Sequence, residues 1–263
     1  MVWLRLIGRF MRASFQEEAA HRANFWIGLL HSVLNLGTGV LGVVVLFGQV
    51  EQVRGWRFES TLALLGVYLS VSALRGLFIG PGLDALAGMD GEVWSGKLDF
   101  TLLRPLDTQF YVSVRKWRWF SLLDLLLGLG VLVVAVGRMG QGLGALQVLA
   151  FLVALTAGVL TLYAILLAFA GLVFWSPEVL FTWVFNGVFQ MARYPVGMYP
   201  GWLRLVLTWI IPVGVITTLP AQALTGDLSA GTLAAGMGLA VLLCVGASVL
   251  FRSGLKRYAS ASS

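Results

Sequence analysis

Gly91-Glu92-Val93-Trp94-Ser95-Gly96-Lys97-Leu98 is the run of this chain that comes nearest to a chemical motif. A loop of the form G-x-x-x-x-G-K-[ST] cradles nucleotide phosphates on its backbone amides, and its last hydroxyl holds magnesium. Leu98 stands where that hydroxyl is needed, and the preceding Ala87-Gly88-Met89-Asp90 is not a buried strand. Without strand, loop and helix together the run does not bind phosphate. Cys244 is the one cysteine, so no internal disulfide can form, and with His21 and His31 on different segments no metal centre is expected. No Ser/His/Asp set and no pair of membrane carboxylates suited to a proton or sodium relay is present. The chain is expected to bind no cofactor.

Two charged residues, Arg75 and Asp124, lie inside apolar stretches, each close to one end. An unpaired charge in hydrocarbon is expensive, and successive antiparallel spans would hold the two at similar depth. The spacing therefore predicts an intramembrane Arg75–Asp124 ion pair.

The elements that position these residues are membrane spans. Asn24–Gly48 and Ala145–Trp175 contain no Asp, Glu, Lys or Arg. Charged residues make up 11% of the chain, against roughly 25% in a soluble domain. About 20 apolar residues cross the hydrocarbon core, and there the backbone must pair with itself, so the spans are helices. The reading is an all-α polytopic membrane protein, one domain over 1–263. Six transmembrane helices are placed at 24–48, 61–80, 119–137, 145–175, 179–196 and 231–251. Ser176-Pro177-Glu178 interrupts the pattern between the fourth and fifth.

Residues 179–220 admit two readings, because Pro195, Pro200, Pro212 and Pro220 break any single regular helix. Either 179–196 is the fifth span and 198–220 a re-entrant hairpin, or Gly201–Leu219 is the span. The first is preferred. Residues 1–23 are amphipathic at helical spacing: Trp3, Leu4, Ile7, Phe10, Met11 and Phe15 oppose Arg5, Arg9, Arg12 and Gln16. That is the pattern of a helix lying in the membrane interface against lipid. Small residues at Gly37/Gly39/Gly42, Gly128/Gly130 and Ala234/Gly238 mark faces where helices can approach.

Most of the 18 Lys and Arg fall on one side of this arrangement. They sit in the N-terminal segment, at Arg75, in 81–118 and in the tail; Arg54, Arg57, Arg138, Arg193 and Arg204 fall on the other. The positive-inside rule then puts both termini and the 81–118 region in the cytoplasm of a cell (inner) membrane. The net charge of +6 is accounted for in this way, and nucleic acid is not expected as a partner.

The 81–118 region mixes Asp84, Asp90, Glu92 and Asp99 with Trp94, Leu98, Phe100 and Leu102. A connection between two helices can be much shorter, so a cytoplasmic helix that docks on a partner is expected here. Glu92, Gly96, Leu98, Asp99 and the Leu102-Leu103-Arg104-Pro105-Leu106 run resemble the segment after the second span in ABC transporter permeases of the type-2, exporter-like class, in the form of a bacterial subfamily. The segment from Tyr194-Pro195 through Tyr199-Pro200 to Ile211-Pro212 is similar to the re-entrant segment of that class, and the amphipathic N-terminal helix is a third likeness.

The resemblance implies a permease subunit that exports its substrate by alternating access. A coupling helix at about Asp84–Phe100 would dock a separate cytoplasmic ATPase, which holds ATP and magnesium. Asp84, Asp90, Glu92, Trp94, Gly96, Leu98 and Asp99 are the candidate coupling residues, and Tyr194, Pro195, Pro200 and Pro212 mark the re-entrant segment. A second permease, the same or a homologous chain, and membrane lipid are the other implied partners, and no catalysis is expected in this chain. The alternatives are a secondary transporter or channel without an ATPase, and a membrane scaffold that transports nothing.

Overall fold

A computed structural model describes residues 2–20, 22–88, 90–140, 142–176 and 181–258. The side chains of Trp3, Leu4 and Arg22, together with His21, Pro177, Glu178 and Val179, lie outside the described residues. The described chain starts with α1 (Val2–Ala19) and α2 (Arg22–Phe47). A hairpin of β1 (Gln52–Val53) and β2 (Trp56–Arg57) follows, a small departure from the all-helical expectation. Its two turn residues, Arg54 and Gly55, both have positive φ (48° and 86°), the tight turn that matches the twist of a two-stranded ribbon.

α3 (Phe58–Leu74) continues through a π-helical turn, Arg75–Ile79, into α4 (Gly80–Asp84). The rod is longer than the expected 61–80 at both ends. Ser60 ties down its start by accepting from the Arg57 N–H at 3.0 Å. Pro81 lacks the N–H that would bond back along the rod, and the Leu77 carbonyl four residues earlier accepts from the Arg118 N–H at 2.8 Å. α5 (Asp99–Leu102) and α6 (Thr108–Val114) are short helices in the connection to α7 (Ser121–Arg138). Then come α8 (Ala145–Leu172), α9 (Phe181–Gln190), α10 (Gly201–Leu205), α11 (Leu219–Thr225) and α12 (Ala230–Arg257).

Five helices among the described residues are long and apolar enough to cross a membrane: Asn24–Phe47, Phe58–Asp84, Ser121–Arg138, Ala145–Leu172 and Ala230–Arg257. α3 is apolar all round and is the buried centre, with every residue from Thr61 to Val71 enclosed. α2 instead leaves Trp26, Leu34, Leu41 and Val45 exposed on one side. Two helix pairs hold the core, through close backbone approach where a side chain is absent. In α3/α7, a Cβ on Gly66 would meet the Leu132 backbone N at 2.8 Å, and one on Gly128 the Ser70 N at 2.7 Å. In α8/α12, a Cβ on Gly171 would lie 3.0 Å from the Phe251 Cα. Of the other small-residue positions, Gly39 packs on Leu65 and Gly42 on the Tyr194 hydroxyl, whereas Gly37, Gly130 and Gly238 face open space.

Between α8 and α12 the chain is irregular. α9 sets Phe185 against Phe169 and under the Arg75 guanidinium, and Phe189 against Tyr68. A 3-10 turn, Met191–Arg193, places Arg193 over the Tyr68 ring at 5.3 Å, donating to Asn35 Oδ1. Arg54 in the hairpin then donates to the Gly197 carbonyl at 2.8 Å. Pro200 precedes α10, a π-helical turn follows at Val206–Ile210, and Ile211-Pro212 breaks the helix. A second π-helical turn, Gly214–Thr218, leads into α11. Proline removes a donor at the break, and Thr217 Oγ1 fixes the returning arm by donating to the Ala192 carbonyl at 3.1 Å.

Candidate coupling site

The connection between α4 and α7 is held against the body at both ends. At its start, α4 and α6 pack so closely that a Cβ on Gly82 would collide with the Val112 carbonyl oxygen. At its end the Arg118 N–H donates to the Leu77 carbonyl at 2.8 Å. Residues 85–88 and 90–98 form turns and bends rather than the expected regular helix, and α-helix resumes at Asp99–Leu102. The Glu92 N–H donates to the Ala85 carbonyl at 3.0 Å, and the Leu98 N–H to the Glu92 carbonyl at 3.0 Å.

Four of the candidate coupling residues are turned inward. Glu92 forms a salt bridge with Arg115 at 2.6 Å and a longer one with Lys116 at 3.8 Å. The Glu92 and Arg115 side chains are only 14% and 8% exposed. The Arg115 guanidinium also lies over the Tyr111 ring at 5.4 Å, and Arg104 covers the same ring at 4.8 Å. Gly96 has φ +70°, which a residue with a side chain rarely adopts, and so turns the chain back toward the body. Leu98 is fully buried. Asp99 faces the Tyr258 hydroxyl; burial first, then the hydrogen bond and charge of Asp99, push that phenol up to about 12.

Of the remaining three, Asp90 is exposed and Trp94 is half exposed. Asp84 is drawn the other way, to Arg75 at 3.7 Å. This corrects the expected Arg75–Asp124 pair: Arg75 takes its carboxylate from its own helix. Positions 75 and 84 fall on opposite faces of a straight α-helix. The wider π-helical turn between them under-rotates the chain and brings Asp84 round. Gly80 leaves the room; a Cβ there would be 3.2 Å from Asp84 Oδ2 and 3.6 Å from Arg75 Cγ.

The outward face of the segment is carried by Trp94, Phe100 and Leu103, the last two 71% and 81% exposed. Phe100 and Leu103 are absent from the candidate set, although a bulky apolar residue two or three places from Leu98 and Thr101 is the signal that marks them. Behind this face, α6 links to the spans. Gln109 Nε2 donates to Ser248 Oγ at 3.0 Å and to the Tyr163 hydroxyl at 3.3 Å. Ser113 Oγ lies 3.0 Å from the Tyr163 hydroxyl, and Asp107 pairs with Arg252 at 3.8 Å. Tyr163 belongs to α8; Ser248 and Arg252 belong to α12.

α1 adds a brace at the far end. Phe10 packs edge-on to Tyr111 and Phe15 to Trp119. Glu18 accepts from the N–H groups of Trp119 at 2.7 Å and Phe120 at 3.3 Å, donors left without partners at the start of α7. Burial raises the Glu18 pKa, outweighing those two hydrogen bonds, which lower it. The apolar face of α1 therefore meets protein at these two rings.

The four re-entrant markers are brought to one region. The Tyr194 hydroxyl lies against Gly42, Pro195 is buried, Pro200 precedes α10, and Pro212 forms the break before the second π-helical turn.

Several lipid-length helices around a buried central one, with a tied-down polar connection after the second, define a multi-pass α-helical membrane protein. Residues 33–262 match the family described as ABC-2 family transporter protein, and the chain belongs to that family. No curated protein and no solved structure matches it.

Proposed function

We propose that the chain is the membrane-spanning subunit of an exporter, that a separate cytoplasmic ABC ATPase docks on Trp94, Phe100 and Leu103, and that ATP and magnesium bind only to that partner. Permeases of this family normally work with such an ATPase. The observation that carries the reading is a surface of three large apolar side chains on a segment whose other side is anchored by Glu92–Arg115. Exposed aromatics over a rigid base suit a protein contact better than a solvated loop. Force applied there passes through Gln109, Ser113 and Asp107 to α8 and α12, and through Arg118 to the end of the second long helix.

In this proposal the chain crosses six times, with both termini in the cytoplasm of the cell membrane. Residues 181–198 make the fifth crossing, and 201–225 dip in and return. The succession of neighbours Arg75, Tyr68, Asn35, Gly42 and Arg54 along 185–197 supports it, since it climbs from the α4 end of the second rod to the hairpin. A second permease, identical or homologous, completes the pathway. The test is co-purification of the ATPase with a Phe100→Asp/Leu103→Asp variant. Loss of the ATPase from a folded permease is expected; recovery at the wild-type level overturns the docking surface.

A further inference from the structure

Asp124 is left without the partner expected for it, and the space beside it has a definite character. A cleft of about 840 Å³ opens between α1, the first turns of α2, the end of α4 and the start of α7. Its charged lining is Glu17, Glu18, Asp84 and Asp124 against Lys116 and Arg118. Glu18 is engaged by backbone N–H groups, Asp84 by Arg75 and Lys116 by Glu92. Asp124 has neither an ion pair nor a hydrogen bond among the described residues. The cleft continues past His31, Ser32 and Asp124 into a smaller cavity of about 70 Å³ that reaches Asn35. Trp117 and Phe120 supply aromatic faces, and Ile27 and Leu123 an apolar wall.

We propose that this cleft is a binding site for an organic cation on an apolar body, with Asp124 as its counter-ion, and that substrate enters the permease through it from the inner leaflet. The assignment of substrate class rests on the permease reading above. A carboxylate in a span is retained at a cost unless something neutralises it. The surplus of carboxylates selects a cation, and the aromatic faces favour a soft, poorly hydrated one. A metal ion does not fit, since no three metal-binding side chains cluster among the described residues.

The test uses two ions of one shape and opposite charge, tetraphenylphosphonium and tetraphenylborate, with the purified full chain and equilibrium dialysis. The phosphonium should bind, and the borate at equal concentration should not displace it. Asp124→Asn should weaken phosphonium binding at least about tenfold, the scale of one close charge contact partly screened by solvent, and Asp124→Glu should restore most of it. Equal affinity in Asp124→Asn, or equal binding of the borate, overturns the proposal. The borate comparison needs no variant, so it decides the matter even if a substitution fails to fold. In the assembled complex the phosphonium should also raise ATP hydrolysis. Phosphonium binding by a chain with which no ATPase co-purifies from its native membrane sinks the permease reading alone, whereas an active complex that ignores the phosphonium sinks the cleft alone.

Discussion

Replacing Glu92 by Gln removes the charge that Arg115 was built to meet while keeping the side chain's size. Arg115 then remains 8% exposed, with its Nε and Nη2 already lacking hydrogen-bond partners. Breaking one half of a buried ion pair costs about 3–5 kcal/mol, because the other charge stays buried and uncompensated. Lys116, whose side chain is 51% exposed, adds at most about 1 kcal/mol. The turns from Glu92 to Leu98 should therefore open on the order of a hundred- to a few-thousand-fold more often, at about 1.4 kcal/mol per factor of ten. Hydrogen exchange of the Leu98 amide, which donates to the Glu92 carbonyl, reads this directly. Glu92→Gln combined with Arg115→Met should recover much of the loss, since a neutral pair of similar bulk leaves no stranded charge. Leu98 protection within about threefold of wild type in the single variant would refute the reasoning.

Gly82→Ala and Gly128→Ala should each lower thermal stability by about 1–3 kcal/mol, the usual cost of overpacking, while Gly130→Ala, with open space around it, should be neutral; a thermal scan of the three in detergent separates them. Docking of α1 should respond to pH through Glu18. Its pKa is raised on docking, so the contribution is full below the ordinary value of 4.5 and is lost as pH rises through the higher, docked value. Protection of the Trp119 amide, corrected for intrinsic exchange, should fall across that window in wild type and stay level in Glu18→Gln. Asn35→Ala should destabilise the fold by about 1–3 kcal/mol by stranding the Arg193 guanidinium, and adding Arg193→Met should reverse most of the change in a chemical unfolding curve.

Five of the six expected spans were legible because composition alone decides them: a run such as Ala145–Leu172 has no other place to go. The positions of Asp84 and Asp124 were not legible. Antiparallel neighbours suggested that Arg75 should reach across to Asp124, and a local change of helical pitch at 75–79 gave it Asp84 instead. Nothing in the residue types Arg75-Gly76-Leu77-Phe78-Ile79 announces a π-helical turn. Ser121 sits opposite Gly76, where a Cβ would be 2.7 Å from its Oγ, and a long-range contact of this kind is invisible to local spacing. The same holds for Glu92, which reads as one more exposed acid until Arg115 folds onto it. Tyr258 becomes a neighbour of Asp99 only because α12 returns to the level of the connection.

Four of the residues that carry the likeness to type-2 permeases turn inward, and Leu103 of the matched 102–106 run is among those that face outward. Glu92, Gly96, Leu98 and Asp99 are respectively ion-paired, left-handed, buried and set against Tyr258. None offers its functional group to an approaching protein. The motif therefore encodes a shape: a chain reversal clamped to α6 and α12, from which Trp94, Phe100 and Leu103 project. A clamp of this kind must be stiff, because a partner that pushes on a soft loop moves only the loop. Here the clamp reaches both tightly packed pairs, α3/α7 through Arg118 and Leu77, and α8/α12 through Gln109, Tyr163 and Ser248. α2 is held more loosely, by the Asn35–Arg193 bond, by packing of Gly39 on Leu65 and Gly42 on Tyr194, and by few buried side chains of its own. A displacement that moves the two pairs together would cost least at the seam beside α2, where the cleft at Asp124 lies.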